Sequence, residues 1–261
     1  MVRWGEMTKH GAPVAGGSDE WRGTRLVSCV ALIPARGGSK RIARKNLKPF
    51  DGVPMLARSI DKALQSGLFE QVVVSTEDQE IAELAIACGA QVPFFRPESL
   101  ADDFTGTGAV IAHALQALQE QGRSYDYACC IYATAPLLQQ RYLRQGLELL
   151  MAHPDKAFAF SVCGFGFPVQ RALTLNQDGA LQALYPEFRQ VRSQDLPEAY
   201  QDAGQFYWGR SRAWLQGQML FSPCSLPVVL PRHLVQDIDT QEDWQRAEYL
   251  YAALKAGGEL E

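Results

Sequence analysis

The residues with the clearest chemical potential lie in a short basic stretch, 36–48. Two consecutive glycines, Gly37 and Gly38, permit a tight backbone turn and can present N–H groups to phosphate oxygens. The cations around them would neutralise a polyphosphate and the charge that develops on it during a reaction. These cations are Arg36, Lys40, Arg41, Arg44, Lys45 and Lys48. The spacing matches neither GxxxxGK[ST] nor GxGxxG. A purely structural turn is the alternative, but the position directly after an apolar run favours a phosphate-binding loop.

Asp237 and Asp239 form a second candidate site near the C-terminus. Carboxylates at positions i and i+2 of an extended segment point to the same side, and Mg²⁺ prefers one or two carboxylates together with phosphates and water. The pair therefore indicates a Mg²⁺ site. The alternative is that Asp239 and Thr240 cap the final helix, with Glu242 and Asp243 in its first turn. Asp239 can also serve both roles.

Strand-like and helix-like stretches alternate over most of the chain, and these elements must position both sites. Apolar, β-branched runs predict strands, and periodic apolar stripes predict the helices between them. The predicted strands are 27–34, 71–75, 91–95, 127–132, 157–162, 204–208 and 226–230, and the predicted helices begin after Pro54, span 78–88, 107–121 and 141–151, and begin again at Thr240. This alternation predicts an α/β fold with a mostly parallel, Rossmann-like sheet and helices on both faces.

In such a sheet, ligands bind beyond the carboxyl ends of the strands, at the point where the strand order reverses. Four loops that follow predicted strands are therefore expected to line one cleft. They span 35–48, 75–78, 96–107 and 132–138.

Residues 164–200 interrupt the alternation. They are rich in Pro, Gln, Arg and aromatic residues with weak periodicity, which predicts an inserted element that serves as a dimerisation arm or a lid. Within it, Arg171 and Arg192 offer planar guanidinium groups that suit a substrate carboxylate. A solvated or interface role for each arginine is equally well supported.

The composition fits one domain over 27–256, preceded by a Gly-rich polar extension at 1–26 that is predicted to be flexible. No apolar run approaches the roughly 18 residues of a membrane-spanning helix. A formal net charge of −4 argues against general nucleic-acid binding. The six cysteines show no CxxC pair and no metal-ligand spacing, which favours free thiols and a cytoplasmic location.

Three stretches resemble the signatures of one enzyme family. The first, at 33–46, reads IPARGGSKRIARKN and resembles the signature of the CMP-sialic acid synthetases, which are sugar-acid cytidylyltransferases. The second, at 72–103, reads VVVSTEDQEIAELAIACGAQVPFFRPESLADD and resembles the next block of that family. The third, at 235–248, reads VQDIDTQEDWQRAE and resembles its closing metal motif. The resemblance covers almost all of 27–254 and implies a nucleotidyltransferase version of the predicted sheet.

Three further strings are most similar to the pseudaminic acid cytidylyltransferases within that family. They are YATAP at 132–136, RSQDL at 192–196 and DAGQFYW at 202–208. The sialic acid pattern has Gln where this chain has Tyr132, and Arg-Pro-Asn-Gly where 201–204 read Gln-Asp-Ala-Gly. The departures imply an altered sugar pocket beside an unchanged nucleotide site.

The resemblance implies nucleotide-binding roles for matching positions. Arg96 and Thr107 would read the cytosine and its surroundings, and Ser75 would lie beside the nucleoside. The triphosphate of CTP would be held by Arg36, Gly37, Gly38, Ser39, Lys40, Lys45 and Asn46.

It also implies roles for the reacting groups. Asp237 and Asp239 would organise Mg²⁺, and Lys45 and Arg36 would join them as catalytic residues. The predicted contacts of the sugar acid are Tyr132, Thr134, Gln205, Arg171 and Arg192.

The implied activity is the transfer of CMP from CTP to the anomeric hydroxyl of a nonulosonic acid, with pseudaminic acid as the first candidate and pyrophosphate as the second product. A homodimer is also implied. The same reaction on N-acetylneuraminic, legionaminic or Kdo-type acids stays open. So do two further functions, a non-catalytic CTP- or CMP-binding protein and a pyrophosphorylase that acts on sugar phosphates.

Overall fold

The structure is a computed structural model that describes residues 27–102 and 105–260. The extension predicted at 1–26 lies outside these residues. The strands and α-helices of the described part follow in chain order: β1 Cys29–Pro34, β2 Pro49–Phe50, β3 Val53–Pro54, α1 Met55–Gln65, β4 Gln71–Ser75, α2 Gln79–Ala87, α3 Thr107–Glu120, β5 Tyr127–Ile131, α4 Gln140–Ala152, β6 Phe158–Gly164, β7 Leu173–Leu175, β8 Leu181–Ala183, β9 Tyr200–Arg210, α5 Ser211–Leu215, β10 Ser225–Val229 and α6 Gln241–Gly257.

Six strands form one central sheet in the order β10–β6–β9–β5–β1–β4. β1 pairs in parallel with both β4 and β5, and β10 pairs in parallel with β6. Within this sheet β9 runs antiparallel to both of its neighbours, β5 and β6. The mostly parallel sheet is therefore confirmed. Because the chain passes from β1 to β4 on one side and later to β5 on the other, the strand order reverses at β1 and leaves a crevice at its carboxyl end.

Helices cover both faces of the sheet, as predicted. Along β1, Cys29, Ala31 and Ile33 belong to the core under α1, α2 and α4, whereas Val30 and Leu32 belong to the core under α3 and α5. Consecutive strand residues point to opposite faces, so a strand that is covered on both sides must be apolar at successive positions. This explains why β1 reads as an unbroken apolar run.

A third, smaller core joins the basic loop to the C-terminal motif. The Trp244 ring of α6 packs edge-on against Phe50, with ring centroids 5.5 Å apart, and Ile42 and Ile238 are buried in the same cluster. Ile42 lies within the basic stretch, and Ile238 lies between the two predicted metal-binding aspartates. The packing of α6 therefore brings the two sequence-distant candidate sites together.

The start of α6 answers the capping question. The Thr240 hydroxyl accepts the backbone N–H of Asp243, and the Asp243 carboxylate accepts the N–H of Thr240, which is a capping box. The Asp239 carboxylate takes no part in this cap. Both residues of the cap, Thr240 and Asp243, come after the aspartate pair. The side chains of Asp237 and Asp239 therefore do not cap the helix.

The strand predicted at 91–95 is wrong. Gln91 forms only an isolated bridge with Val73, and the chain then leaves the sheet. Pro93 has no N–H to donate to a ladder, which ends the pairing two residues after it begins.

The end residues of the inserted stretch 164–200, Gly164 of β6 and Tyr200 of β9, pair in the central sheet. Between them the chain leaves that sheet and forms its own antiparallel pair, β7 and β8. All six cysteines lie in the described part and none forms a disulfide, as predicted. Among the described helices, none combines the length and apolar character that crossing a membrane requires.

Candidate active site

A cleft of about 580 Å³ opens at the carboxyl ends of β1 and β5, where the strand order reverses. Three of the four predicted loops contribute to its lining. The fourth, 75–78, does not, because its acidic side chains bond to the basic loop and to Arg96 instead. The predicted site residues that line the cleft are Arg36, Ser39, Lys40, Lys45, Asn46, Arg96, Thr107, Tyr132, Thr134 and Asp239. Residues from distant parts of the chain, between Pro34 and Asp239, therefore converge on one concave surface. Most of its charged side chains are cations.

The basic loop is fixed by two acidic residues that follow β4. The N–H of Gly37 donates to Glu77 Oε1 at 2.7 Å, so in this structure it faces a protein carboxylate. A Cβ atom on Gly37 would lie 2.2 Å from Asp78 Oδ2, whereas one on Gly38 would meet nothing within 4 Å. Gly37 is thus required for the close approach of the loop to Asp78.

Asp78 is itself held in place from two sides. Its carboxylate caps α2 by accepting the N–H of Ile81, and it forms an ion pair with the guanidinium of Arg44. The hydrogen bond from Arg44 is the main reason that the pKa of Asp78 is lowered. Arg44 has a φ of 51°, in the left-handed region that side chains rarely adopt. The loop therefore holds its shape through this acid–base pair.

Lys45 lies between the basic loop and the aspartate pair. Its Nζ donates to the carbonyl of Ile238 and lies 3.6 Å from Asp239 Oδ1, which also accepts Arg41 Nη2 at 2.8 Å. Burial lowers the pKa of Lys45, and the charges of Asp239 and Asp237 partly oppose that effect. A lysine held in this way presents its charge at a defined point of the cleft.

Asp239 lines the cleft and Asp237, two residues before it, does not; these two carboxylates could hold a divalent cation. Although Asp237 keeps contact with solvent, the loss of solvation by surrounding protein atoms raises its pKa, and the charge of Asp239 raises it further. A cation between the two carboxylates would relieve that repulsion. Among residues 27–102 and 105–260 there is no group of three or more His, Cys, Asp or Glu that could hold a metal by itself. Two carboxylates completed by phosphate and water oxygens are nevertheless a donor set that suits Mg²⁺.

Arg96 and Thr107 also line the cleft. The Arg96 side chain is only 4% exposed, and Nη2 donates to Glu77 Oε2 at 2.6 Å. Its Nε is buried and has no hydrogen-bond partner within the described part of the chain. The Thr107 hydroxyl shares a hydrogen bond of 3.1 Å with the Tyr132 hydroxyl. Ser75 is fully buried behind this wall and does not line the cleft.

Two tyrosines form the wall beyond Thr107. The Tyr132 and Tyr207 rings lie 5.1 Å apart, and the Tyr207 hydroxyl donates to Asp202 Oδ2 at 2.7 Å. Burial raises the pKa of both tyrosines, so both hydroxyls keep their protons. Of these residues Tyr132 alone lines the cleft, and Tyr132 and Asp202 are among the positions at which the sequence departs from the sialic acid pattern.

Three predicted sugar contacts are not brought to the cleft. Gln205 is buried, and its side-chain amide donates to the carbonyl of Leu234. The guanidinium of Arg171 donates to the carbonyls of Arg189 and Val191. Arg192 forms an exposed ion pair with Asp195 at 2.8 Å. Each of these side chains has a partner inside its own part of the fold.

Sequence reasoning counted Arg41 among the phosphate-neutralising cations but did not predict its contact with Asp239, and it assigned no individual role to Glu77 or Asp78. Arg41 belongs to the basic cluster, and its contact with Asp239 depends on the packing of α6. The signal for the other two is their position directly after β4. Because β4 pairs in parallel with β1, acids at the end of β4 lie beside the basic loop.

Comparison with known proteins identifies the family. The cytidylyltransferase family model matches residues 30–217. This chain belongs to the cytidylyltransferase family. It is 46% identical over 222 residues to the pseudaminic acid cytidylyltransferase of Campylobacter jejuni strain 81-176, covering 85% of this chain and 95% of that protein.

Two less similar proteins also match over most of both chains. The CMP-N,N'-diacetyllegionaminic acid synthase of Legionella pneumophila is 29% identical over 225 residues, covering 85% of this chain and 95% of that protein. The solved structure of CMP:2-keto-3-deoxy-manno-octonic acid synthetase complexed with CTP has a TM-score of 0.63 at 16% identity, covering 87% of this chain and 99% of that one. That likeness shows the shared fold.

The two glycines of the basic loop give a matched pair of variants. We expect Gly37→Ala to lower the free energy of unfolding by about 1–3 kcal/mol, because its Cβ would collide with an Asp78 side chain that Arg44 and α2 hold in place. Gly38→Ala should stay within about 0.5 kcal/mol of the wild type. Urea unfolding followed by circular dichroism measures both, and equal stabilities of the two variants would contradict the assigned packing.

Proposed function

We propose that this protein transfers CMP from CTP to the anomeric hydroxyl of pseudaminic acid and releases pyrophosphate. The observation that carries the proposal is the meeting of the basic loop and Asp239 at one cleft of a cytidylyltransferase fold, with Asp237 two residues before Asp239. The relative from C. jejuni named for this activity supports the choice of sugar acid.

The cations of the cleft would bind the triphosphate and stabilise the charge that gathers on it. The C2 hydroxyl oxygen of the sugar acid attacks the α-phosphorus in line, and the bond between that phosphorus and the oxygen bridging to the β-phosphate breaks. Lys45, Arg36 and Lys40 would stabilise the departing pyrophosphate. Catalysis of this kind depends mainly on positioning and on charge placed in advance.

The aspartate pair would hold Mg²⁺ at the reacting end of the nucleotide. When bound, Mg²⁺ would supply Lewis-acid chemistry, that is, positive charge that stabilises the reacting phosphate and favours loss of the hydroxyl proton to solvent. Asp239 would exchange part of its contact with Arg41 and Lys45 for the ion, which would leave both cations facing the phosphates. The hydrogen bond from Lys45 to the Ile238 carbonyl would keep the Lys45 ammonium group close to both Asp239 and the phosphates.

Nucleotide recognition would fall to Arg96 and Thr107, and sugar recognition to Tyr132 and Thr134. The protonated hydroxyl of Tyr132 lines the cleft beside Thr107 and would read hydroxyl or amide groups of the sugar acid, while Tyr207, bonded to Asp202, would pack against the Tyr132 ring. Ser75 and Gln205 are buried, so they would contribute through packing and not through contact with the substrates.

The same proposal includes a homodimer formed through 164–200. Leu173, Leu175 and Leu181 of the β7–β8 pair are 59%, 64% and 70% exposed. Leucines at this exposure on a two-stranded sheet are typical of a surface that another chain covers. Arg171 and Arg192 lie in the same element, away from the cleft of their own chain.

A panel of sugar acids tests the reaction and the substrate together. With CTP and Mg²⁺, we expect pyrophosphate release with pseudaminic acid and little with N-acetylneuraminic, legionaminic or Kdo acid, measured by a coupled phosphate assay. Release with another acid alone would keep the reaction and overturn the sugar. Binding of CTP without release in any mixture would favour a non-catalytic nucleotide-binding protein.

Removal of one carboxylate tests the aspartate pair. We expect Asp237→Asn to lower kcat by at least about a hundredfold, because charge stabilisation at the reacting phosphorus is lost. The unfolding midpoint should stay close to that of the wild type, and EDTA should abolish turnover of the wild type. Glu242→Gln, in the exposed first turn of α6, is the control and should retain activity. A loss of stability that matches the loss of activity would support a structural role instead.

Mass in solution tests the dimer. We expect the wild type to sediment at twice its chain mass of 28.9 kDa and Leu181→Lys to sediment as a monomer, because a charge would enter the apolar surface. Met219→Lys is the control, since Met219 is 75% exposed outside 164–200, and it should stay dimeric. A monomeric wild type would contradict the proposal.

A further inference from the structure

Glu77 occupies a junction between the two halves of the nucleotide site. It follows β4 directly, and its two carboxylate oxygens serve different segments. Oε1 accepts the backbone N–H of Gly37 at 2.7 Å, and Oε2 accepts Nη2 of Arg96 at 2.6 Å. One side chain therefore ties the basic loop after β1 to Arg96, which lines the cleft.

The Arg96–Glu77 ion pair is largely buried, so each charge depends on the other for stabilisation. The side chains of Arg96 and Glu77 are 4% and 20% exposed, so neither charge is well solvated. Removing one member of a desolvated ion pair leaves the other uncompensated, which is far more costly than the pair itself is stabilising. Arg96 keeps one more anchor, the hydrogen bond of 2.8 Å from its backbone N–H to the Thr76 carbonyl. Glu77 is thus the residue that sets the direction of the guanidinium.

Glu77 does not itself line the cleft, whereas Arg96 does. The buried Nε of Arg96, which has no partner in the described part, is a donor left over after the ion pair is made. Glu77 therefore makes no direct contact with a nucleotide in the cleft, and it would position one only through the loop and through Arg96.

We propose that Glu77 is a positioning residue that fixes the basic loop and Arg96 in the geometry that binds CTP; this rests on the proposed transfer from CTP. Its carboxylate accepts from two donors at once. A glutamine offers one acceptor oxygen and would turn its NH₂ group toward either the Gly37 N–H or the guanidinium. An aspartate keeps the charge but is one methylene shorter and cannot reach both partners.

The sign of the effect separates positioning from simple electrostatics. Loss of the Glu77 charge makes the cleft more positive, which by itself would strengthen attraction to a triphosphate. Positioning predicts the opposite result. Glu77→Gln weakens CTP binding about tenfold, equivalent to about 1.4 kcal/mol, and leaves the KM for the sugar acid within about twofold of the wild type. Glu77→Asp weakens CTP binding as well.

The experiment is calorimetric titration of the full chain with CTP and Mg²⁺, together with KM values for both substrates. Glu83→Gln removes the same charge from an exposed position on α2 and should bind CTP as the wild type does. Arg96→Met and the double variant Glu77→Gln/Arg96→Met complete a cycle. If Glu77 acts partly through Arg96, the two losses of affinity are smaller together than their sum.

Two results would overturn the inference: wild-type affinity for CTP in Glu77→Gln and Glu77→Asp, or strictly additive losses in the cycle. If Glu77→Gln does not fold, Glu77→Asp carries the same test. The titration does not depend on turnover. A wild type that binds CTP but releases no pyrophosphate overturns the proposed reaction alone, while a wild type that binds no CTP overturns both.

Discussion

Repulsion among the cations of the cleft is the physical constraint on which the site depends. Arg41, Lys45 and Arg96 line the cleft and Arg44 belongs to the same basic loop, and each of the four is held by an acid from another element. Asp78 holds Arg44, Glu77 holds Arg96, and Asp239 holds both Arg41 and Lys45. Without these acids the charges would separate into solvent, and the surface would lose its shape before a ligand arrived.

The fold supplies those acids through two different devices. Parallel pairing of β1 with β4 sets Pro34 opposite Ser75, so the residues that follow both strands meet at one edge. The second device is the small core around Trp244, which holds Ile238 and so places the aspartates beside Lys45. Secondary structure positions one set of anchors, and side-chain packing over almost two hundred residues of sequence separation positions the other.

Much of this could be predicted from the sequence, and the limits have physical reasons. The strands at 71–75 and 127–131 follow from apolar runs buried on both faces, and the basic loop follows from its charge. The strand at 91–95 fails because Pro93 cannot extend a ladder. Gln205 lies on β9, where consecutive side chains point to opposite faces of the sheet. The sequence of the strand does not reveal which of its side chains point toward the cleft.

The remaining gaps concern partners rather than elements. The anchoring role of Glu77 requires knowing that β4 lies next to β1, which periodicity alone does not supply. Arg171 and Arg192 have the right chemistry for a carboxylate, but their hydrogen bonds stay within the inserted element. A pattern of residue types indicates what a site can bind, whereas tertiary packing decides which of those residues reach it.

The place where the inserted element joins the sheet has a consequence for how such a protein can diversify. β6 and β9 pair with each other up to Gly164 and Tyr200, so the chain leaves and re-enters the sheet at directly opposed positions. The two ends of the insertion are therefore already held together, as at the base of a hairpin. Its length and sequence can change at a small cost in loop-closure entropy and with no change in strand register. The Gly164–Tyr200 pair is therefore a position at which insertions of different length and sequence can join the same central sheet.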